Sequence, residues 1–216
     1  MKKLYPHLMV GGLVILLSVI LERAVYMNYD LLEKSPVILN DYMAIAPVYN
    51  TAGSWLHGRW DIGYNMLLLG MENLAAFLMA VYLLRFMDVM MRFFQTPGGR
   101  VWLYAVDMEA AVMLYRLIAR IYSPYTLDYL YIRGSGTYDF PDFCIGTGIA
   151  VILLWTVLEM VQYYSFKKKQ TVGMTFWAKL KWEMGISLMF MKAALLPEGR
   201  WESKFAPWKG LERSET

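Results

Sequence analysis

Polarity along this chain varies in long waves, unlike the short alternation of a soluble domain. Apolar runs fill Leu8–Leu21, Ile62–Leu84, Val101–Tyr122 and Phe143–Phe166. The last three exceed the ~20 residues that a helix needs to cross the hydrocarbon core of a bilayer, and the first nears it only when continued. With the first run continued to Tyr26, the pattern predicts spans at 8–26, 62–84, 101–122 and 143–166. The expected fold class is therefore an all-α membrane protein, a four-transmembrane-helix bundle. Residues 1–196 form its single membrane domain and 197–216 a charged tail.

A fifth apolar stretch, 174–196, is interrupted by Lys179, Lys181, Glu183 and Lys192. Trp177 and Trp182 beside Lys179 and Lys181 suit an amphipathic helix anchored in the membrane interface. The N-terminal run follows a basic tip but ends in Leu21-Glu22-Arg23 without small residues at a cleavage spacing, so it reads as an uncleaved signal anchor.

The connections differ in character. Thr96-Pro97-Gly98-Gly99 is a short stop between the second and third spans, which makes those two an antiparallel hairpin. Residues 28–61 contain Pro36, Pro47, Gly53 and Gly58 but few charges. They read as a loop that packs on the bundle, lies in the interface or meets a partner. Residues 123–142 read as a second loop, rich in tyrosine and turn residues.

Composition agrees with a membrane protein. Apolar residues are 58% of the chain and charged residues 18%, with 8 Trp and 16 Tyr available for interfacial belts. The net charge of +3 matters through its placement. Lys2, Lys3, Arg85, Arg92, Arg100 and the lysines at 167–169, 179 and 181 flank one side of the predicted spans. The other side carries Lys34, Arg59 and Arg133 among seven acidic residues. The positive-inside rule then places both termini in the cytoplasm and the protein in the cytoplasmic (inner) membrane as a multi-pass chain.

The unusual feature is ionisable residues inside apolar runs, each of which costs ~2.5–3.5 kcal/mol near a bilayer centre on insertion scales. Glu72 lies in the second run, Asp107, Glu109 and Arg116 in the third, and Glu159 in the fourth. On a helix, Glu109, Met113, Arg116 and Arg120 share a stripe, while Asp107 points the opposite way. A helix charged on two faces is poorly suited to lipid, so Val101–Tyr122 reads as the inner helix of the bundle. Asp107 and Glu159 are expected at a common depth, with Arg116 directed towards Glu109 or Glu72.

Other candidate chemistry is weaker. Cys144 is the sole cysteine and His7 and His57 the sole histidines, which excludes an internal disulfide and leaves no metal or haem site of ordinary spacing. A Cys144–His57 dyad lacks a third, orienting group. Asp139 and Asp142 could hold Ca²⁺ weakly, but an acidic turn before a helix is usually a cap. Arg133–Thr137 lacks the Lys-Ser/Thr ending of a phosphate loop. No GxSxG, HExxH or DGxxAR-type lipid-transferase motif is present.

The reading from residues alone is a non-enzymatic structural, assembly or accessory subunit of a larger membrane complex. The alternative is a small oligomeric channel or transporter that passes protons or cations along Glu72, Asp107, Glu109 and Glu159. Expected partners are membrane lipids and other membrane subunits or further copies of the chain, without nucleic acid; no cofactor and no metal are expected.

Overall fold

The computed structural model describes residues 5–51, 60, 65–96, 98, 100–123 and 125–196. The chain is mostly helical (74%). In chain order the elements are α1 (Tyr5–Met27), α2 (Tyr29–Lys34), β1 (Val37–Asn40), β2 (Met43–Asn50), α3 (Met66–Phe94) and α4 (Arg100–Tyr122). They continue with β3 (Thr126–Ile132), β4 (Gly136–Tyr138), α5 (Phe140–Gln170) and α6 (Phe176–Ala194).

Three of these are long and apolar enough to cross a membrane: Pro6–Met27 within α1, α3 and α5. α4 has comparable length, but Asp107, Glu109, Arg116 and Arg120 keep it out of that set on composition. The expected segments 8–26, 101–122 and 143–166 each lie inside a helix. The expected 62–84 segment belongs to a helix that begins at Met66 and runs on to Phe94. α3 ends where Gln95 adopts a left-handed φ of 55° and the Thr96 N–H donates to the Met91 carbonyl at 3.1 Å. That is a Schellman closure, which satisfies one of the last helical carbonyls.

The all-α expectation is corrected by a four-stranded antiparallel sheet in the order β1-β2-β3-β4. Both stretches read as loops contribute a hairpin to it. Val37-Ile-Leu-Asn40 and Met43–Asn50 turn through Asn40, whose Oδ1 accepts from the Tyr42 N–H at 2.8 Å. Thr126–Ile132 and Gly136–Tyr138 turn through Gly134, at φ 79°. Central pairing joins Met43 to Ile132 and Asn50 to Thr126 across two intervening helices. The register slips between Ile45 and Val48, where Pro47 has no N–H to give to the ladder.

Contacts divide the chain into two compact units, Met1–Ala80 with Tyr104–Ala150, and Val81–Leu103 with Val151–Thr216. Within the first, Val14, Ala111, Val112 and Cys144 form a core between α1, α4 and α5. Val25, Leu127 and Tyr129 seat the sheet on the end of α1, with Tyr29 and Leu32 of α2 packed against them. Within the second, the core is aromatic: Phe93 meets Phe166 at 5.3 Å and Phe190 at 5.1 Å, both edge to face. Ile186, Phe190, Ala193 and Ala194 give α6 its buried face.

Candidate functional site

The densest charge cluster among the described residues lies at the junction of the sheet with α4 and α5. Asp139 precedes α5 and Asp142 occupies its first turn. The Asp142 N–H donates to Asp139 Oδ1 at 2.7 Å, and the Asp139 N–H donates to Asp142 Oδ2 at 3.2 Å. This reciprocal pair is a capping box built from two aspartates, and it satisfies two amides at the helix start.

The same carboxylates also bind Arg116, from the last two turns of α4. Its Nη2 donates to Asp139 Oδ1 at 3.0 Å and Oδ2 at 3.2 Å, and to Asp142 Oδ1 at 2.6 Å. Arg116 was expected to reach Glu109 or Glu72; these contacts are made instead to the segment that opens α5.

β3 adds a third acid. Asp128 sits mid-strand, is largely buried, and accepts from Asn50 Nδ2 at 3.0 Å across the β2–β3 pairing. One carboxylate oxygen each from Asp128, Asp139 and Asp142 lies within 4.8 Å of the others. Arg116 pairs with Asp139 and Asp142, with the Asp128 carboxylate beside them. Like charges this close cannot all ionise cheaply, so the cluster holds a proton near neutral pH. Burial pushes the Asp139 carboxyl up to about 7, with Arg116 opposing that shift and Asp142 reinforcing it. Asp142 is the most open of the three, its side chain 32% exposed against 8% for Asp139.

A cavity of about 20 Å³ adjoins the cluster. Glu22, Tyr115, Arg116, Tyr129 and Asp139 are among its walls, and its volume suffices for one water molecule. Tyr115 donates its hydroxyl hydrogen bond to Glu22. Tyr129 accepts from the Phe140 N–H at 3.0 Å, and burial pushes its phenol up to about 12, so it stays neutral. Arg116 engages one oxygen or more of Asp139 and of Asp142, and Asp128 accepts from Asn50.

The remaining sequence candidates fall in separate places. Asp107 is buried on α4 and bonds His7 Nδ1 of α1 at 2.6 Å, with the imidazole tilted against Tyr104. Glu109 lies against Gly148 of α5, where a Cβ would stand 2.7 Å from its Cγ. Glu72 is half-buried on α3. Glu159 belongs to the second unit, buried on α5, and accepts from the Thr96 hydroxyl. Cys144 is packed in the apolar core, and His57 lies outside the described residues.

Trp177 and Lys181 are exposed on α6, while Lys179 and Trp182 are partly covered. Sequence reasoning did not single out Asp128, because only the sheet brings it to Asp139 and Asp142. An available signal was the alternation in Thr126–Ile132, which gives a strand with one acid among apolar and aromatic residues.

No family model and no curated protein sequence matches the chain. Two solved structures that resemble it are each described as a bacterial membrane enzyme, obtained by the in meso method at 2.3 and 1.9 Å resolution. The first has a TM-score of 0.49 at 13% identity, covering 69% of this chain and 88% of its own. The second has a TM-score of 0.41 at 13% identity, covering 68% and 91%. Both neighbours are described as enzymes, which stands against the expectation of a non-enzymatic subunit.

Proposed function

We propose that this protein is a membrane hydrolase that cleaves an amide bond of a membrane-anchored polypeptide with a pair of aspartates. The observation that carries the reading is that carboxylate oxygens of Asp128, Asp139 and Asp142 lie within 4.8 Å of one another, with Arg116 paired to Asp139 and Asp142. Two close carboxylates that share one proton are equipped to act as acid and base together.

Asp128 and Asp142 form the reacting pair in this reading, since Asp142 is the most open of the three acids and Asp139 is buried. The ionised partner takes a proton from water as the water oxygen attacks the carbonyl carbon. The protonated partner gives its proton to the departing nitrogen as the C–N bond breaks. Arg116 and Asp139 hold Asp142 in place.

In this reading α1, α3, α4 and α5 all span the cytoplasmic membrane, and the lysine-rich end of α5 faces the cytoplasm under the positive-inside rule. Both termini then lie inside, and the sheet and its acidic cluster meet substrates at the outer surface.

The test uses purified protein in proteoliposomes with single-span reporter polypeptides whose residues flanking the membrane are randomised. Products are read by mass spectrometry in H₂¹⁸O. Cleavage that places one ¹⁸O in the new carboxyl terminus, and that is lost in Asp128→Asn and Asp142→Asn, supports the reading. Absence of cleavage, or cleavage that survives both substitutions, overturns it.

A further inference from the structure

The last turns of α5 and the first turns of α6 enclose an open groove of about 740 Å³, within the second unit. Lys167, Lys168 and Lys179 face it, with Phe176 and Leu180 among its apolar walls. Lys167 is neutralised by Glu183 at 2.6 Å and lies 5.3 Å from the centre of the Tyr164 ring. Among the described residues Lys168 and Lys179 make no ion pair. The groove therefore carries two uncompensated positive charges. An apolar strip leaves it along α6, formed by the exposed side chains of Leu180, Met184, Leu188, Met191 and Leu195 at helical spacing. Cations at one end and an apolar strip leading away match a ligand with an anionic head and a hydrocarbon tail.

We infer that the α5–α6 groove is a binding site for an anionic phospholipid, with its phosphate between Lys168 and Lys179 and an acyl chain along the exposed face of α6. The assignment is independent of the hydrolytic reading. It is also more specific than the general attraction of a basic segment to an acidic membrane, because it depends on which lysines face the groove. Lys169 and Lys181 are exposed lysines on the same two helices and do not line it.

The full-length protein in zwitterionic micelles is titrated with phosphatidylglycerol or phosphatidylcholine, and bound lipid is counted by native mass spectrometry. Phosphatidylglycerol is expected to bind at least ~10-fold more tightly than phosphatidylcholine, and Lys168→Gln/Lys179→Gln to weaken it by about 10- to 30-fold. The charge-matched control Lys169→Gln/Lys181→Gln is expected to bind as the unaltered protein does. Equal loss in both double variants shows diffuse attraction and overturns the site. Displacement of the lipid by glycerol phosphate at equal concentration also overturns it, since the groove would then hold a free phosphate. Matching thermal unfolding curves for the two double variants show that binding, not folding, has changed.

Discussion

At the foot of the sheet, carboxylate oxygens of Asp128, Asp139 and Asp142 lie within 4.8 Å of one another, and Asp139 and Asp142 both pair with Arg116. In the second unit, buried Glu159 meets a neutral hydroxyl and Lys167 meets Glu183 one to one, beside a core of interlocking phenylalanines. Both arrangements take ionisable groups out of water, with different results. A balanced pair such as Lys167–Glu183 fixes geometry. An unbalanced group keeps a proton available near neutrality, which an acid–base catalyst requires. Burial raises Asp139 and the neighbouring Asp142 reinforces that shift, which separates the candidate site from the paired charges of the scaffold.

The widest separation comes from substitutions that strike one region and spare the other. Asp128→Asn keeps the shape of the side chain and removes its charge. It should lower hydrolysis by about 10²–10⁴-fold, the usual contribution of a general acid or base, with little change in thermal unfolding. Phe190→Ala should do the reverse. It opens a cavity among Phe93, Phe94 and Phe166 and should cost about 3–5 kcal/mol in unfolding free energy, with turnover per folded molecule unchanged. Paired denaturation and activity measurements on both variants check this. If Phe190→Ala abolished turnover in the folded protein, chemistry and scaffold would not be separable.

A smaller effect follows from pH. The Asp139 value of about 7 in the folded protein stands above the ordinary 3.8, so between these values the folded state binds more protons than the unfolded chain. The contribution of this group to stability is therefore fully present below about pH 4 and is lost as pH rises towards 7. Thermal unfolding followed from pH 4 to 8 should show that decline, and Asp139→Asn should flatten it. A pH profile unchanged by Asp139→Asn would mean that the proton resides elsewhere.

The helices were legible because each is specified locally. Apolar runs of bilayer length announce α1, α3 and α5, and the interrupted run at 174–196 became α6 at Phe176–Ala194. The sheet was not legible, although Val37–Asn50 and Thr126–Ile132 contain strand-forming residues. β2 pairs with β3 across two helices, and nothing near either segment in the chain encodes that partnership. The site divides along the same line. Asp139 and Asp142 could be read as a helix cap, which they are, because capping is local. Asp128 joins them only through the sheet. Arg116 was singled out as a misplaced charge, but its partners could not be chosen until the start of α5 was placed beside it.

The finest test concerns a charge held by shape alone. Glu109 fits against the bare backbone of Gly148, where an added Cβ would lie 2.7 Å from its Cγ and 2.7 Å from its Oε1. The Oε1 can swing away, but the Cγ is close to the α4 backbone and has little freedom. Gly148→Ala should therefore overpack the contact and cost about 1–3 kcal/mol in unfolding free energy. Glu109→Ala removes the obstructing atoms, so the double variant should recover most of that loss. A double-mutant cycle measured by denaturant unfolding should give a coupling energy of about 0.5–3 kcal/mol between the two positions. Hydrolysis should persist in the double variant, since Glu109 is not one of the clustered acids. A coupling energy near zero would show that α4 and α5 do not make this contact. Lost hydrolysis in a stable double variant would place Glu109 among the residues that supply the chemistry.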